Sequence, residues 1–335
     1  MEVLKNELKR YIDLHIHLDG AITVEIAKRL AQIQGIKLPL EDDEELLNLL
    51  SVPSDCTSLN DFLECFALPC SLIQSKQGIS EAVYLISENM KKQGIIYAEI
   101  RFAPSKCMDK GLTQEEAVQA ALEGLNRTDL KVNLILCCMR GADTKENRDI
   151  NRETIEVAKK YLVKDGGVVA VDLAGAEVLF PNEYYIKTFA LAREYGIPFT
   201  IHAGEAAGAD SVKSAIEMGA ARVGHGVRLE EDEELLKLVR DRQIPLEMCP
   251  TSNSQTRAVE SMDNYPLIRY LDMGLMVTLN TDDPAIERTD IASEYQYMQE
   301  KFGLTAEQKK QLLLNAVHAA FTSDEVKDKL RQMIY

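Results

Sequence analysis

Apolar positions along this chain recur with a helical period in some stretches and as short runs in others, and the switch between the two marks the elements. The rhythm is most regular from residue 80 onward. Ser80 can cap a helix running to Gln93, with apolar positions at Ala82, Val83, Ile86 and Met90. Gly94 ends that helix, and Ile95–Phe102 follows as a strand. The unit then repeats. Helix Thr113–Leu125 precedes strand Lys131–Cys138, helix Asn151–Leu162 precedes strand Gly167–Leu173, and helix Asn182–Tyr195 precedes strand Pro198–His202. Three more pairs follow: Ala209–Met218 with Arg222–His225, Leu229–Arg242 with Pro245–Met248, and Tyr265–Asp272 with Leu275–Asn280. Ahead of them, Ile12–Leu18 reads as an opening strand and Val24–Gln34 as a helix closed by Gly35.

Eight strands alternating with helices predict an α/β fold of the (β/α)8 TIM-barrel type. A doubly wound open sheet is the competing architecture, but no glycine fingerprint follows the first strand. Two stretches fall outside the repeat. From residue 38 to 77 the pattern is irregular, with a short acidic helix at Glu41–Leu50 and an apolar-rich one at Leu59–Ile73. This reads as extra helices inserted after strand 1, able to cover a site. Two more helices close the chain. Thr305–Gln308 has capping-box spacing for the first, and Ser323 can cap the second. With no linker and no low-complexity tract, residues 1–335 read as a single domain.

Composition narrows the partners. The chain has 335 residues, 46% hydrophobic and 27% charged, with a formal net charge of −16. Such a surface repels phosphate backbones and anionic headgroups, so the expectation is no nucleic acid and no membrane. The first residues lack the basic and apolar regions of a signal peptide, and no apolar run reaches the length of a membrane span, so the expected location is cytoplasmic. Seven cysteines (Cys56, Cys65, Cys70, Cys107, Cys137, Cys138 and Cys249) contain no Cys-x-x-Cys pair. They read as reduced thiols rather than a disulfide frame or a zinc ribbon.

The chemistry lies in how the chain spends its histidine. It has five, and His15, His17, His202 and His225 all fall at the C-terminal ends of predicted strands. In a barrel those ends form the face that carries the active site. His15 and His17, two apart in a strand, share one face and can share a metal ion. The same rim gathers Asp19, the stretch Asp172–Glu177, Glu205, the stretch Cys249–Asn253, and Asp282 with Asp283. Taken singly, His202 reads equally as a buried core histidine, His225 as a turn residue between glycines, and Asp282 or Asp283 as a cap before Pro284. Jointly, four histidines and several acids on one rim point to a metal site. His318, inside a helix far from this set, is left as structural.

The stretches Leu14–Ala21, Asp172–Gly175, His202–Ala206, Gly224–Val227, Cys249–Asn253 and Asn280–Pro284 together resemble the adenosine deaminases, a family of metal-dependent amidohydrolase barrels. They occur in the family's order and span nearly the whole chain. One departure is Ala176, where the family commonly carries an acid. The resemblance implies hydrolytic deamination of adenosine, and of 2'-deoxyadenosine, to inosine and ammonia. It implies one Zn2+ per chain on His15, His17, His202 and Asp282, which lowers the pKa of a water for attack at purine C6. His225 would take the water's proton, and a protonated Glu205 would supply N1. Asp283 would bond N7, the Gly175 N–H would bond N3, Asp19 would accept a ribose hydroxyl, and His17 would also border the substrate. The expected partner is a small-molecule purine nucleoside, and the expected state is a monomer or weak homo-oligomer. A single metal is expected because strand four, ending Val171–Ala174, lacks the lysine or glutamate that bridges two ions in binuclear relatives.

Three other readings stay open at this point. A close relative would act on free adenine or a 6-substituted purine nucleotide; Asp19 would repel a phosphate, and adenine deaminases usually carry Glu there. An amide or ester hydrolase on the same barrel would show the binuclear signature. A non-catalytic descendant would have lost Glu205, His225 or a ligand. The nucleic-acid and cytidine deaminases, with their Pro-Cys-x-x-Cys motif, are excluded because the motif is absent.

Overall fold

A computed structural model describes residues 10–52 and 64–334. Eight strands appear in it: β1 (Tyr11–His17), β2 (Ile95–Phe102), β3 (Lys131–Met139), β4 (Val168–Ala174), β5 (Thr200–Ala203), β6 (Arg222–His225), β7 (Leu246–Met248) and β8 (Val277–Leu279). They pair in sequence order as two parallel four-stranded sheets, β1 to β4 and β5 to β8. Two parallel bridges close the seams. Val171 pairs with Phe199 between β4 and the entry to β5, and Ile16 pairs with Asp282 between β1 and the exit of β8. The result is the expected (β/α)8 barrel, with the sheet's two edges removed by closure.

Most predicted elements lie where the periodicity puts them; the differences are at helix starts and in one further helix. The helix before β2 begins at Lys76 rather than Ser80, because Ser75 is the residue whose side chain accepts from a first-turn N–H, that of Gly78. The helix before β4 begins at Lys145, six residues before Asn151, capped by Thr144. Helix Ile291–Phe302, not predicted from the pattern, is capped by Asp290 and ended by Gly303. Thr113 with Glu116 and Thr305 with Gln308 both form complete capping boxes. Of the predicted helix Leu59–Ile73, residues 59–63 lie outside the described residues; the remainder holds a helix at Ala67–Leu72.

Apolar side chains of the strands' outer faces and of the surrounding helices form one continuous core. The C-terminal segment closes the barrel floor. Phe321 packs on Ile135, Val169 and Ala170, and its backbone N–H donates to Glu99 Oε1 at 2.6 Å. Arg222 lies over the Phe321 ring at 3.8 Å and donates to Ala319 O. The insertion after β1 docks on the opposite rim: Val52 N donates to Ile286 O at 3.0 Å, and Arg288 donates to Ser51 Oγ and Asn48 Oδ1. No described helix is long and apolar enough to cross a membrane.

Thr113→Ala removes the Oγ1 acceptor that the Glu116 N–H meets, leaving only the bond from the residue-113 N–H to the Glu116 carboxylate, and should cost about 1 kcal/mol of stability. Urea denaturation reads this directly; an unchanged midpoint would contradict the assignment of Thr113 as a structural cap.

Candidate active site

The opening strand is not regular. Asp13 sits opposite Ala98 and Ile16 opposite Ile100, so three residues of β1 match two of β2. This bulge breaks strict alternation. It turns Asp13 outward to accept from Thr281 Oγ1 at 2.6 Å, while His15 and His17 both face the barrel interior with ring centroids 5.5 Å apart.

There they meet His202 from β5 and Asp282 from the end of β8. His202 Nε2 lies 3.1 Å from His15 Nε2 and 3.3 Å from His17 Nε2. Asp282 Oδ1 lies 3.2 and 3.3 Å from the same two nitrogens. All four ligand atoms lie within 4.8 Å of one another. Ligands about 2.0 Å from a tetrahedral ion stand roughly 3.3 Å apart, so these separations suit one divalent metal.

The hydrogen bonds on the far side of the rings say the same. His15 Nδ1 is 2.7 Å from Glu247 Oε2, and His202 Nδ1 is 3.0 Å from Asp172 Oδ2. Burial opposes the charge on both acids. Arginine outweighs it at Glu247, where Arg101 and Arg222 hold the carboxyl well below its usual range. At Asp172, His202 and Arg101 do the same. Both acids are therefore acceptors and both Nδ1 atoms donors. Burial drives His202 down to about 3, so its ring is neutral and Nε2 carries a lone pair toward its neighbours. Burial also disfavours charge on His17, yet Asp283 and Asp282 overcome it and raise that group to about 9. The residues fit the metal.

Beside the cluster stand two candidate proton-transfer groups. His225 Nε2 is buried, has no hydrogen-bond partner among the described residues, and lies 3.6 Å from Glu205 Oε2 and 3.8 Å from Asp282 Oδ2. Its other nitrogen is 3.1 Å from the Asn253 amide, which Tyr265 OH anchors at 2.8 Å. Burial lowers His225, keeping it neutral. Glu205 is pushed up to about 8, first by its low-dielectric surroundings and then by the charges of Asp282 and Glu177. Thr256 Oγ1 donates to it at 3.0 Å. At neutral pH Glu205 thus keeps its proton while His225 stays uncharged.

Asp283 follows the same logic. Burial and the adjacent Asp282 raise it well above the carboxylate range, and Oδ1 has no partner among the described residues. Its side chain lies on Gly20, where a Cβ would come within 1.8 Å of Oδ1. Asp19 reaches the same mouth, with Cys70 Sγ of the insertion 3.6 Å from its Oδ2. Gly175 stands exposed on the rim with φ 107°. Each residue singled out in the sequence is thus on one face, and His318, left as structural, is outside it. Backbone conformation marks the site too. His225 (φ 61°) and Asp282 (φ 71°) are two of only five non-glycine residues with positive φ among those described.

Sequence reasoning missed Glu247, Arg101, Asn253 as a partner of His225, and Glu287, a buried acid near Asp282 and Asp283. Glu247 belongs to no motif, standing between Leu246 and Met248 in an otherwise apolar strand. Its alternation with Met248 could have flagged an inward-facing charge.

The family model described as adenosine deaminase matches residues 11–335. An adenosine deaminase of Haemophilus ducreyi is 47% identical over 325 residues, covering 95% of this chain and 94% of the relative. Among solved structures, an adenine deaminase of Arthrobacter aurescens superposes with a TM-score of 0.86 at 26% identity, covering 96% and 97% of the two chains. An amidohydrolase solved with bound Zn superposes with a TM-score of 0.83 at 22% identity, covering 96% and 88%.

Glu247→Gln should weaken metal binding about 10- to 100-fold, because the neutral amide no longer raises the basicity of His15. Competition against a chromophoric chelator measures it; wild-type affinity would show that the carboxylate does not tune the ligand.

Proposed function

The chain belongs to the adenosine deaminase family and is a metal-dependent hydrolytic deaminase of adenosine; on that premise we propose which residues carry the reaction, and that the ion is zinc. The single observation that carries the assignment is the convergence of His15, His17, His202 and Asp282 beside an unpaired His225 Nε2 and a protonated Glu205. Three imidazoles and one carboxylate oxygen, with no thiolate, form a donor set suited to Zn2+.

Held there, the ion would act as a Lewis acid that makes hydroxide available from water near neutral pH. The remaining steps belong to the chain. His225 takes the water's proton through Nε2 and holds the attacking oxygen toward C6. Attack at C6 pushes electrons into the ring, and Glu205 donates its proton to N1 to receive them. Asp283, kept protonated, donates to N7, and the Gly175 N–H donates to N3. Asp19 accepts a hydroxyl of the sugar. As the new C6–O bond settles into a carbonyl, the C6–N bond breaks; protonated His225 returns its proton to the leaving amine, the hydroxyl proton goes to the Glu205 carboxylate, and ammonia leaves. The products are inosine and ammonia. With one carboxylate for the sugar, a hydroxyl shared by both nucleosides suffices, so 2'-deoxyadenosine is a substrate as well.

Purified protein mixed with adenosine should show the ultraviolet change to inosine, lost with chelator and restored by zinc. Parallel cuvettes with adenine and AMP should stay flat. Turnover of adenine or AMP in place of adenosine would overturn the sugar-binding role of Asp19.

Glu205→Gln should keep its metal and lose about 10²- to 10⁴-fold in kcat, the usual contribution of a positioned acid. The wild-type rate should hold near pH 7 and fall by about tenfold per unit above roughly pH 8, since the active form is protonated and the group is raised to about 8. A rate still flat at pH 10, or undiminished turnover in the variant, would remove Glu205 from the mechanism.

A further inference from the structure

Glu205 sits on the loop between β5 and helix Ala209–Glu217; Arg228, from beyond β6, donates to Ala206 O at 2.9 Å, and a side chain from another loop takes the segment's N–H groups. Glu177, three residues beyond the end of β4, accepts from four successive backbone N–H groups. Gly204 N donates to Oε1 at 2.7 Å; Glu205, Ala206 and Ala207 donate to Oε2 at 3.2, 2.8 and 2.9 Å. The residue is 4% exposed. Gly204 has φ 71°, and a left-handed residue of this kind lets consecutive N–H groups converge on one anion instead of alternating in direction. Without that acceptor, these donors would have no carboxylate to meet in a site from which water is largely excluded.

We propose that Glu177 is a positioning residue for the deamination: it fixes the backbone that carries Glu205, and it acts through that backbone without touching the purine. The loop has no regular pairing of its own, and the only side-chain bond fixing Glu205 is the one from Thr256 among the described residues. The neighbouring Arg140 ties the two loops together at their base, donating to Phe180 O, Asn182 Oδ1 and His202 O, each at 2.7 Å. Glu177 therefore completes a clamp whose upper jaw sets where the proton donor stands. A displacement near 1 Å at a reacting group costs roughly 10²-fold in rate. The proposal rests on the reading of Glu205 as the proton donor to N1.

The test uses full-length Glu177→Ala loaded with zinc, with metal content measured alongside kinetics on adenosine. The expected result is a kcat lower by about 10²-fold with KM changed little and metal content at the wild-type value. Added formate, a carboxylate small enough for the vacated space, should restore at least tenfold in kcat saturably, and should leave wild type and Glu205→Gln unaffected. Unchanged kcat overturns the proposal. So does a loss that tracks lost metal or that formate does not repair, either of which assigns Glu177 to the stability of the barrel.

Glu177→Asp, which keeps the charge, guards against a variant that does not fold. It should lower kcat and speed amide hydrogen exchange at residues 204–207 while leaving the strands protected. Wild-type exchange and kcat in that variant would also overturn the proposal. The underlying reading fails separately: wild-type turnover in Glu205→Gln defeats the proton-donor role, whereas low turnover there with normal kcat in Glu177→Ala defeats only the positioning.

Discussion

Two carboxylates inside the barrel, Asp172 and Glu247, must each satisfy an arginine and a histidine where no water can help. Arg101 bridges them, at 3.0 Å to Asp172 and 2.7 Å to Glu247, with all three side chains fully buried. Glu247 also pairs with Arg222, and Arg222 with Glu99, each at 2.6 Å. A buried ion network of this kind is weak evidence for stability, because desolvation offsets the attraction. Its effect here is orientation. Each acid accepts from the Nδ1 of one histidine, so each ring presents Nε2 to the same point above. The floor of the barrel, the ligand cluster and the C-terminal segment that meets Glu99 are thereby parts of one hydrogen-bonded assembly.

Charge balance explains the rest of the site. The cluster gathers several acids in a small dry volume, and they do not respond alike. Those next to arginine stay ionised. Those with no arginine beside them, Glu205, Asp283 and Glu287, are raised by burial and by neighbouring acids, a rise that His17 only partly offsets at Asp283. One environment thus yields ionised carboxylates and protonated carboxyls side by side. Environment, rather than residue type, separates the two roles.

The same site holds its strain where its chemistry is. His225 and Asp282 adopt positive φ without being glycine, which costs of order 1 kcal/mol or more each. Both stand at strand ends whose backbone is held by pairing on either side, as in the bonds between Asp282 and residues 15 and 17 of β1. The fold supplies the constraint that keeps these side chains aimed inward.

By itself the sequence determined the eightfold alternation, the rim on which the histidines fall, and, through six motif stretches, the family. Those features are local: apolar periodicity, and short runs whose spacing is set by strand ends. Strand centres and glycine-ended helices were legible for that reason. Helix starts at Ser75 and Thr144 were less so, because several polar residues nearby can cap and tertiary packing selects one. The tertiary structure alone decided that a bulge in β1 turns Asp13 away from His15, that Glu247 lies under His15 across 232 positions of sequence, and that Glu177 reaches the Glu205 loop. Those contacts depend on barrel closure and on which strand lies beside which. Pair energies of that kind leave no periodic trace along a single chain, so they become visible only when the chain is folded.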